Sequence, residues 1–280
     1  MAWSPKFGAE LTIVELTRAS FRVPTQCTKV VERKIKKHGG KVLTGVQGRG
    51  FTRRADGTIE VKVSGEGGIQ ELLECDTVLV AVGMRPRSKG IGLEELGVQI
   101  DKRGFVMTND VCQTNVEGIY AIGDVSGPPM LAHKATKEGE VCAEVIAGKR
   151  AGKDWVTVPS IIFTDPEIAS VGLTEAEAKE QGLKVKAGKF PFAALARAMS
   201  IRETDGFTKV VLDEDTGRVV GIHICGPNAS DLISEGALAL EMVATAEDMG
   251  LTIHPHPTLG EAMMEAAQAA LGHAIHIVNR

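Results

Sequence analysis

The predicted order of strands and helices changes near Val158, and this change constrains the fold more than any other feature of the sequence. Before it, a buried strand at residues 11–15 leads to a basic helix over 28–38, and a short strand follows at 41–44. After it, the predicted elements are strands at 160–163, 206–212 and 219–224 and helices at 174–181 and 230–244. We therefore predict an α/β portion followed by a separate α+β domain.

The α/β portion has the pattern of a dinucleotide-binding unit. Residues 58–63 alternate with period two after the turn Ala55-Asp56-Gly57, which predicts a hairpin with 50–54. The continuous apolar run Cys75–Val82 predicts a strand covered on both faces. No GxGxxG sequence precedes the strand that ends at Glu15, so the chain is expected to begin inside the first crossover helix of such a unit.

Composition and charge argue against several classes of partner. Hydrophobic residues make up 43% of the 280 residues and charged residues 24%, as in ordinary globular proteins. A net charge of -4 disfavours nucleic acids and anionic membranes as partners, and the sequence lacks both a run of eighteen apolar residues and a signal peptide. A cytoplasmic protein is expected. The five cysteines are scattered without metal-ligand spacing, so we expect reduced, mostly buried thiols and no metal site.

Residues 118–124 end a second apolar stretch in a glycine and a carboxylate. We expect a strand there, with Gly123 allowing a ligand to approach and Asp124 accepting hydrogen bonds from ligand hydroxyls. A helix over 130–147, stopped by Gly148, should present its N-terminus to an anion or an electron-rich ring. The alternative is that Gly123-Asp124 forms an ordinary turn.

The segment His254-Pro255-His256-Pro257-Thr258-Leu259-Gly260-Glu261 predicts a proton-handling pair. Each histidine precedes a proline, which favours extended backbone up to a helix that begins at Thr258. Thr258 and Glu261 have the spacing of a capping box, and Gly272 is a plausible stop for the helix. An imidazole beside a carboxylate can act as a base near neutral pH. The alternative reading makes Glu261 only a cap and His256 a surface residue.

Seven segments in the same order resemble the pyridine nucleotide–disulfide oxidoreductase family. They are Val14-Glu15, Ala81-Val82-Gly83-Met84-Arg85-Pro86, Tyr120-Ala121-Ile122-Gly123-Asp124, Met130-Leu131-Ala132-His133-Lys134-Ala135, Phe163-Thr164-Asp165-Pro166-Glu167, Gly188-Lys189-Phe190-Pro191-Phe192 and His254 to Glu261. The His-x-His-Pro-Thr form favours the members that oxidise dihydrolipoyl groups over glutathione reductase-like relatives. The resemblance implies an incomplete NAD-binding domain over 1–88, the C-terminal segment of an FAD-binding domain over 89–157 and a dimerisation domain over 158–280.

The resemblance also assigns two cofactors. It implies that Asp124 binds the ribityl chain of FAD and that four residues line the isoalloxazine side, namely Met130, Leu131, Ala132 and His133. It implies that Glu15 holds the adenosine ribose of NAD, with Val46 and Gly83 further along the site. An acid rather than an arginine at position 15 is what selection of NAD over NADP requires.

By the same resemblance His256 is the acid–base catalyst, oriented by Glu261, and reaches across a homodimer interface to the redox dithiol of the other subunit. The implied partners are lipoyl domains of 2-oxoacid dehydrogenase or glycine cleavage complexes. The family's N-terminal FAD domain and redox cysteine pair are expected to be missing from what would be a C-terminal fragment, inactive alone. Two alternatives stay open: a naturally short, non-catalytic dimerisation or interaction protein, and a chain with residual diaphorase-like activity.

Overall fold

A computed structural model describes residues 8–17, 24–65 and 70–279 of the chain. These form two compact units: one comprises the described residues up to Leu79 together with those from Pro159 onward, and the other comprises Val80–Val158. Across the described ranges, no helix is both long and apolar enough to span a bilayer. Met1, where the chain is expected to begin inside a crossover helix, lies outside the described part of the chain.

The first unit opens with the predicted strand, helix and strand. Strand β1 (Thr12–Glu15) pairs in parallel with β2 (Lys41–Thr44), and Glu15 lies opposite Thr44. Helix α1 (Thr25–Lys37) connects them and buries an i, i+3, i+4, i+8 stripe that consists of Cys27, Val30, Val31 and Ile35. Lysines in the last turn of α1 suit the negative end of the helix. The predictions for these three elements are confirmed.

A three-stranded antiparallel sheet follows, in the order β3-β4-β5, from β3 (Val46–Arg53), β4 (Ile59–Gly65) and β5 (Gln70–Cys75). The predicted hairpin is therefore confirmed. The predicted buried strand over Cys75–Val82 is wrong, because the chain leaves the sheet after Cys75 and Val82 is 90% exposed. An apolar run becomes a central strand only where strands flank it, and the parallel sheet of the described residues has two strands.

The larger sheet of this unit has five antiparallel strands in the order β6-β7-β10-β9-β8. These are β6 (Ser160–Ile162), β7 (Glu167–Gly172), β8 (Val185–Pro191), β9 (Phe207–Asp213) and β10 (Val219–Gly226). Alternating residues serve two cores: Ile222 and Ile224 of β10 face the main core, whereas Cys225 packs with α1. The predictions for β6, β9 and β10 are confirmed, and β7 and β8 were not predicted.

The helices of the C-terminal domain are α3 (Glu175–Glu180), α4 (Ala196–Ser200), α5 (Ala229–Glu241), α6 (Ala246–Leu251) and α7 (Glu261–Leu271). The predicted capping box of Thr174 and Glu177 starts α3, and the predicted stop Gly272 ends α7 in a left-handed conformation with φ 84. Helix α7 lies so close to β8 that a Cβ on Gly188 would come within 2.1 Å of the carbonyl oxygen of Ala266. Glycine at position 188 therefore allows the helix that carries Glu261 to approach the sheet.

The second unit contains helix α2 (Ala132–Ile146), as predicted, with Gly148 in a left-handed conformation just beyond it. The strand predicted over 118–124 is wrong. Tyr120 makes an isolated antiparallel bridge with Gln113, and Gly123–Ser126 form a 3₁₀ turn. Gly123 has φ 75, so the backbone turns here instead of continuing as a strand.

Candidate active site

His256 and Glu261 form the predicted pair. The Nδ1 atom of His256 lies 2.8 Å from Oε1 of Glu261. The imidazole is 67% exposed, whereas the carboxylate is 11% exposed. A carboxylate can only accept a hydrogen bond, so the pair fixes the proton on Nδ1 and leaves Nε2 as the nitrogen that can take up a proton.

Glu261 also anchors the start of α7. Its Oε2 accepts the backbone N–H of Thr258 at 2.8 Å, which is half of the predicted capping box. The other half does not form, because the Thr258 hydroxyl donates to the carbonyl of Pro255 and α7 begins at Glu261 instead of Thr258. Burial acts to raise the pKa of Glu261, but the hydrogen bonds from Thr258 and His256 outweigh it and hold the pKa below its ordinary value of 4.5.

Two further histidine–glutamate pairs lie in the same domain and were not predicted. His254 Nε2 lies 2.9 Å from Oε1 of Glu235 on α5. His276 Nδ1 lies 2.5 Å from Oε1 of Glu265, a carboxylate that is 1% exposed on α7. The spacing of 19 and 11 residues in these pairs carries no local sequence signal. The first pair ties the residues just before His256 to α5, and the second ties the C-terminal residues to α7, the helix that carries Glu261.

The second unit holds the loop that carries Asp124. Asp124 is exposed in the 3₁₀ turn, and Gly123 approaches α2 so closely that a Cβ there would lie 3.1 Å from Ala135 Cβ. Helix α2 starts at Ala132 with no side-chain cap among the described residues and no acidic residue in its first turn. Uncapped N–H groups at a helix start favour an anionic or electron-rich ligand, so the Asp124 loop and the start of α2 fit a flavin.

A buried ion pair that the sequence did not predict holds this loop. Lys134 and Glu138 of α2 are each 5% exposed and lie 3.1 Å apart. Lys134 Nζ donates to the carbonyls of Gly123 and Gly127 at 3.2 and 2.9 Å. Glu138 accepts the Gly123 N–H at 2.7 Å. The pair therefore binds both ends of the turn, and the turn presents Asp124 to solvent.

The four residues expected beside an isoalloxazine ring are consecutive: two come just before α2 and two are its first residues. Met130 is half-buried and lines a cavity of about 380 Å³ together with Arg85, Lys102, Arg103 and Phe105. The Arg103 guanidinium lies 5.0 Å from the centre of the Phe105 ring. Leu131 is the N-cap residue, and it precedes Ala132 and His133, both exposed.

The residues expected to bind NAD fall in both units. Glu15 ends β1, and its Oε1 accepts from the backbone N–H and the hydroxyl of Thr17 at 2.8 and 2.7 Å. Val46, 2% exposed, begins β3 two residues after Thr44, the partner of Glu15, so Glu15 and Val46 lie in the same region. Gly83 belongs to the second unit, where it is exposed with φ 105. A carboxylate at the carboxyl end of a parallel strand fits ribose hydroxyls.

The cysteines fit the structural role that was predicted for them. All five are free, and Cys27, Cys112 and Cys225 are buried. Burial raises the pKa of Cys112, which disfavours its reactive thiolate. Within the described residues no cluster of three or more His, Cys, Asp or Glu side chains could hold a metal ion.

Profiles of known families match both portions of the chain. The pyridine nucleotide-disulphide oxidoreductase profile matches residues 2–139, and the dimerisation domain profile of the same family matches residues 158–267. The chain belongs to the pyridine nucleotide–disulphide oxidoreductase family. The predicted α/β portion followed by a dimerisation domain is confirmed.

Within this family the chain is similar to dihydrolipoyl dehydrogenases. It is 49% identical to the enzyme of Thermus scotoductus over 276 residues, and this match covers 98% of this chain and 60% of that protein. It is 47% identical to the Bacillus subtilis enzyme, over 97% of this chain and 58% of that protein, so it spans about three fifths of these relatives. Among solved structures, LpdA of Mycobacterium tuberculosis superposes with a TM-score of 0.85 at 26% identity, over 94% of this chain and 57% of that chain.

Proposed function

We propose that this chain supplies the acid–base pair, the flavin-contact loop and the dimerisation domain of a dihydrolipoyl dehydrogenase. The observation that carries the proposal is the His256–Glu261 pair, with Nδ1 held by the carboxylate at 2.8 Å and the ring 67% exposed. The similarity to dihydrolipoyl dehydrogenases extends across this pair.

In the proposed reaction His256 accepts a proton at Nε2 from a dihydrolipoyl thiol. The resulting thiolate attacks one sulfur of a redox disulfide, which forms a mixed disulfide and releases the other sulfur as a thiolate. The second thiol of the substrate gives its proton to that thiolate and attacks the substrate sulfur of the mixed disulfide, which closes the lipoyl ring and releases the reduced dithiol. Glu261 stabilises the imidazolium that forms and keeps the ring oriented. FAD, when bound, would carry the electron pair from the reduced dithiol to NAD.

Residues of this chain would hold parts of both cofactors. The Asp124 carboxylate would accept ribityl hydroxyls of FAD, and the uncapped start of α2 would face the isoalloxazine ring. The Glu15 carboxylate would bind the adenosine ribose of NAD, with Val46 near it at the start of β3. The family resemblance alone assigns Gly83 a part in NAD binding. Support for these roles comes from the exposure of Asp124 and from the position of Glu15 at a strand end.

We further propose a homodimer in the cytoplasm that serves lipoyl domains of 2-oxoacid dehydrogenase or glycine cleavage complexes. Large apolar side chains of the dimerisation domain favour the dimer: Met242 is 72% exposed, Leu251 73% and Ile253 94%. Two of these, Leu251 and Ile253, come just before the segment His254 to Glu261, so a second subunit docked there would approach the dyad. Sedimentation of a monomer alone at micromolar concentration would contradict this arrangement.

A chimera tests the proposed activity. The part of the Thermus scotoductus enzyme that precedes its matched region would be fused to this chain, and NAD reduction by dihydrolipoamide would be followed. We expect an active flavoprotein, and we expect His256→Gln to lower the rate on the order of 10²–10⁴-fold, the usual contribution of a general base.

His273→Gln is the matched control, because His273 is an exposed histidine in the same domain. It should leave the rate unchanged. Equal rates for the H256Q and H273Q chimeras would refute the base assignment. A chimera that dimerises and binds flavin but does not oxidise dihydrolipoamide would favour the alternative of a non-catalytic dimerisation protein.

A further inference from the structure

His254, two residues before the proposed base, is fixed at both ring nitrogens. Its Nε2 lies 2.9 Å from Oε1 of Glu235, and its Nδ1 lies 2.9 Å from the backbone carbonyl oxygen of Thr252. The imidazole is 6% exposed, so water cannot easily replace either partner.

Both of these partners are hydrogen-bond acceptors. A backbone carbonyl has no proton to donate, and an ionised carboxylate has none either. A neutral imidazole carries one N–H and could satisfy only one of them, whereas the imidazolium carries two. The geometry therefore selects the doubly protonated ring, held in a partly buried, charge-assisted hydrogen bond with Glu235.

Residues 252–257, which include His254 and His256, are held at both ends by hydrogen bonds. At its start, Thr252 donates through its backbone N–H and its hydroxyl to the carbonyl of Asp248 on α6, at 3.1 and 2.9 Å. At its end, Thr258 donates to Glu261 on α7. Residues 253–257 bridge the two helices, and His254 fastens this bridge to α5.

We propose that His254, as a cation paired with Glu235, is a positioning residue that fixes the 252–257 segment and thereby sets His256 against Glu261. The inference rests on the proposed function, since His256 matters as the base of that reaction. His254 would be a second histidine of the site. It touches no reacting atom and acts through the backbone that carries His256.

The charges around His254 agree with this role. The hydrogen bond to Glu235 raises the pKa of His254 above its ordinary value of 6.5, against the effect of burial, and the Thr252 carbonyl and the charge of Glu261 on α7 act in the same direction. Because the folded protein binds this proton more tightly than the unfolded chain, protonation of His254 stabilises the fold, and does so fully below about pH 6.5. This stabilisation is lost as pH rises through the pKa of His254 in the folded protein. The segment should therefore loosen on the alkaline side.

The test uses the 280-residue chain without flavin, NAD or lipoamide, so its outcome is independent of the proposed activity. Imidazole nitrogen NMR of ¹⁵N-labelled protein would follow His254 across pH, and hydrogen exchange would follow the Thr258 amide and the His256 Nδ1–H. We expect Glu235→Gln to make His254 deprotonate at lower pH and to accelerate both exchanges roughly tenfold, the usual effect of losing a charge-assisted hydrogen bond.

Glu247→Gln is the matched control, because it removes an exposed carboxylate from the neighbouring helix α6, and it should change neither readout. Should E235Q fail to fold, the wild-type chain gives the same test: exchange of both protons, corrected for base catalysis, should accelerate as His254 loses its proton. A neutral His254 near pH 7, or exchange rates indifferent to its protonation, would overturn the proposal.

Discussion

Replacing Lys134 by methionine should destabilise the second unit strongly. The change keeps the length and apolar stem of the side chain but removes three hydrogen bonds, to Gly123, Gly127 and Glu138 at 3.2, 2.9 and 3.1 Å. Glu138 would remain as a carboxylate that is 5% exposed and has no cation beside it. Breaking one side of a buried ion pair costs about 3–5 kcal/mol in free energy of unfolding.

Lys137→Met is the matched control, three residues further along the same helix. The Lys137–Glu140 pair has a similar distance, 2.8 Å, but its side chains are 59% and 58% exposed. Exposed pairs of this kind contribute little to stability, because water screens the two charges. The two substitutions are chemically identical, yet we expect their costs in free energy of unfolding to differ by several kcal/mol. The difference arises because Lys134 is buried and because it bonds to the turn.

Urea denaturation followed by Trp155 fluorescence would measure this difference, because Trp155 lies in the second unit. A Trp3→Phe background removes the other tryptophan. Adding Glu138→Gln to K134M should recover part of the lost stability, since it neutralises the charge left behind. A K134M cost no larger than that of K137M would refute the reasoning, and so would a double variant that recovers nothing.

Two further predictions concern the C-terminal domain. His223 is buried between the Ser170 hydroxyl and the Leu173 carbonyl, and burial lowers its pKa to about 4. Because the unfolded chain binds the proton more tightly, stability should fall between about pH 6.5 and 4, and the wild type should lose up to about 3 kcal/mol more than His223→Gln in urea titrations. An equal pH dependence of the two proteins would contradict this. Gly188→Ala should lower the melting temperature far more than Gly48→Ala, because a Cβ at 188 meets α7 at 2.1 Å whereas nothing lies within 4 Å of one at 48. Similar losses would show that α7 can move away from the sheet.

Local signals predicted most of the C-terminal domain and the dyad. The Thr174 capping box, the stop at Gly272 and the short step from His256 to Glu261 each depend on residues within one or two turns. Such signals do not depend on how the rest of the chain packs. The resemblance to the family then gave these local features their proposed roles.

Interactions that depend on packing were not predicted. The apolar run Cys75–Val82 satisfies the composition of a buried strand, but composition does not provide the neighbouring strands that such a strand needs. Lys134 and Glu138 have the i, i+4 spacing that usually indicates an exposed helix pair, and only the fold shows that both are buried under the turn. The pairing of His254 with Glu235 has no counterpart in local sequence at all.

The two roles that the sequence left open for Glu261 are compatible, because they use different oxygens. Oε2 accepts the Thr258 N–H and fixes the start of α7, while Oε1 accepts the His256 Nδ1–H. The hydrogen bond to the backbone holds the carboxylate at one rotation, so the second oxygen is presented to the imidazole in a fixed direction. The capping contact therefore orients the carboxylate that orients His256, and a Glu261 that served only as a cap would leave Oε1 without a reason to face the ring.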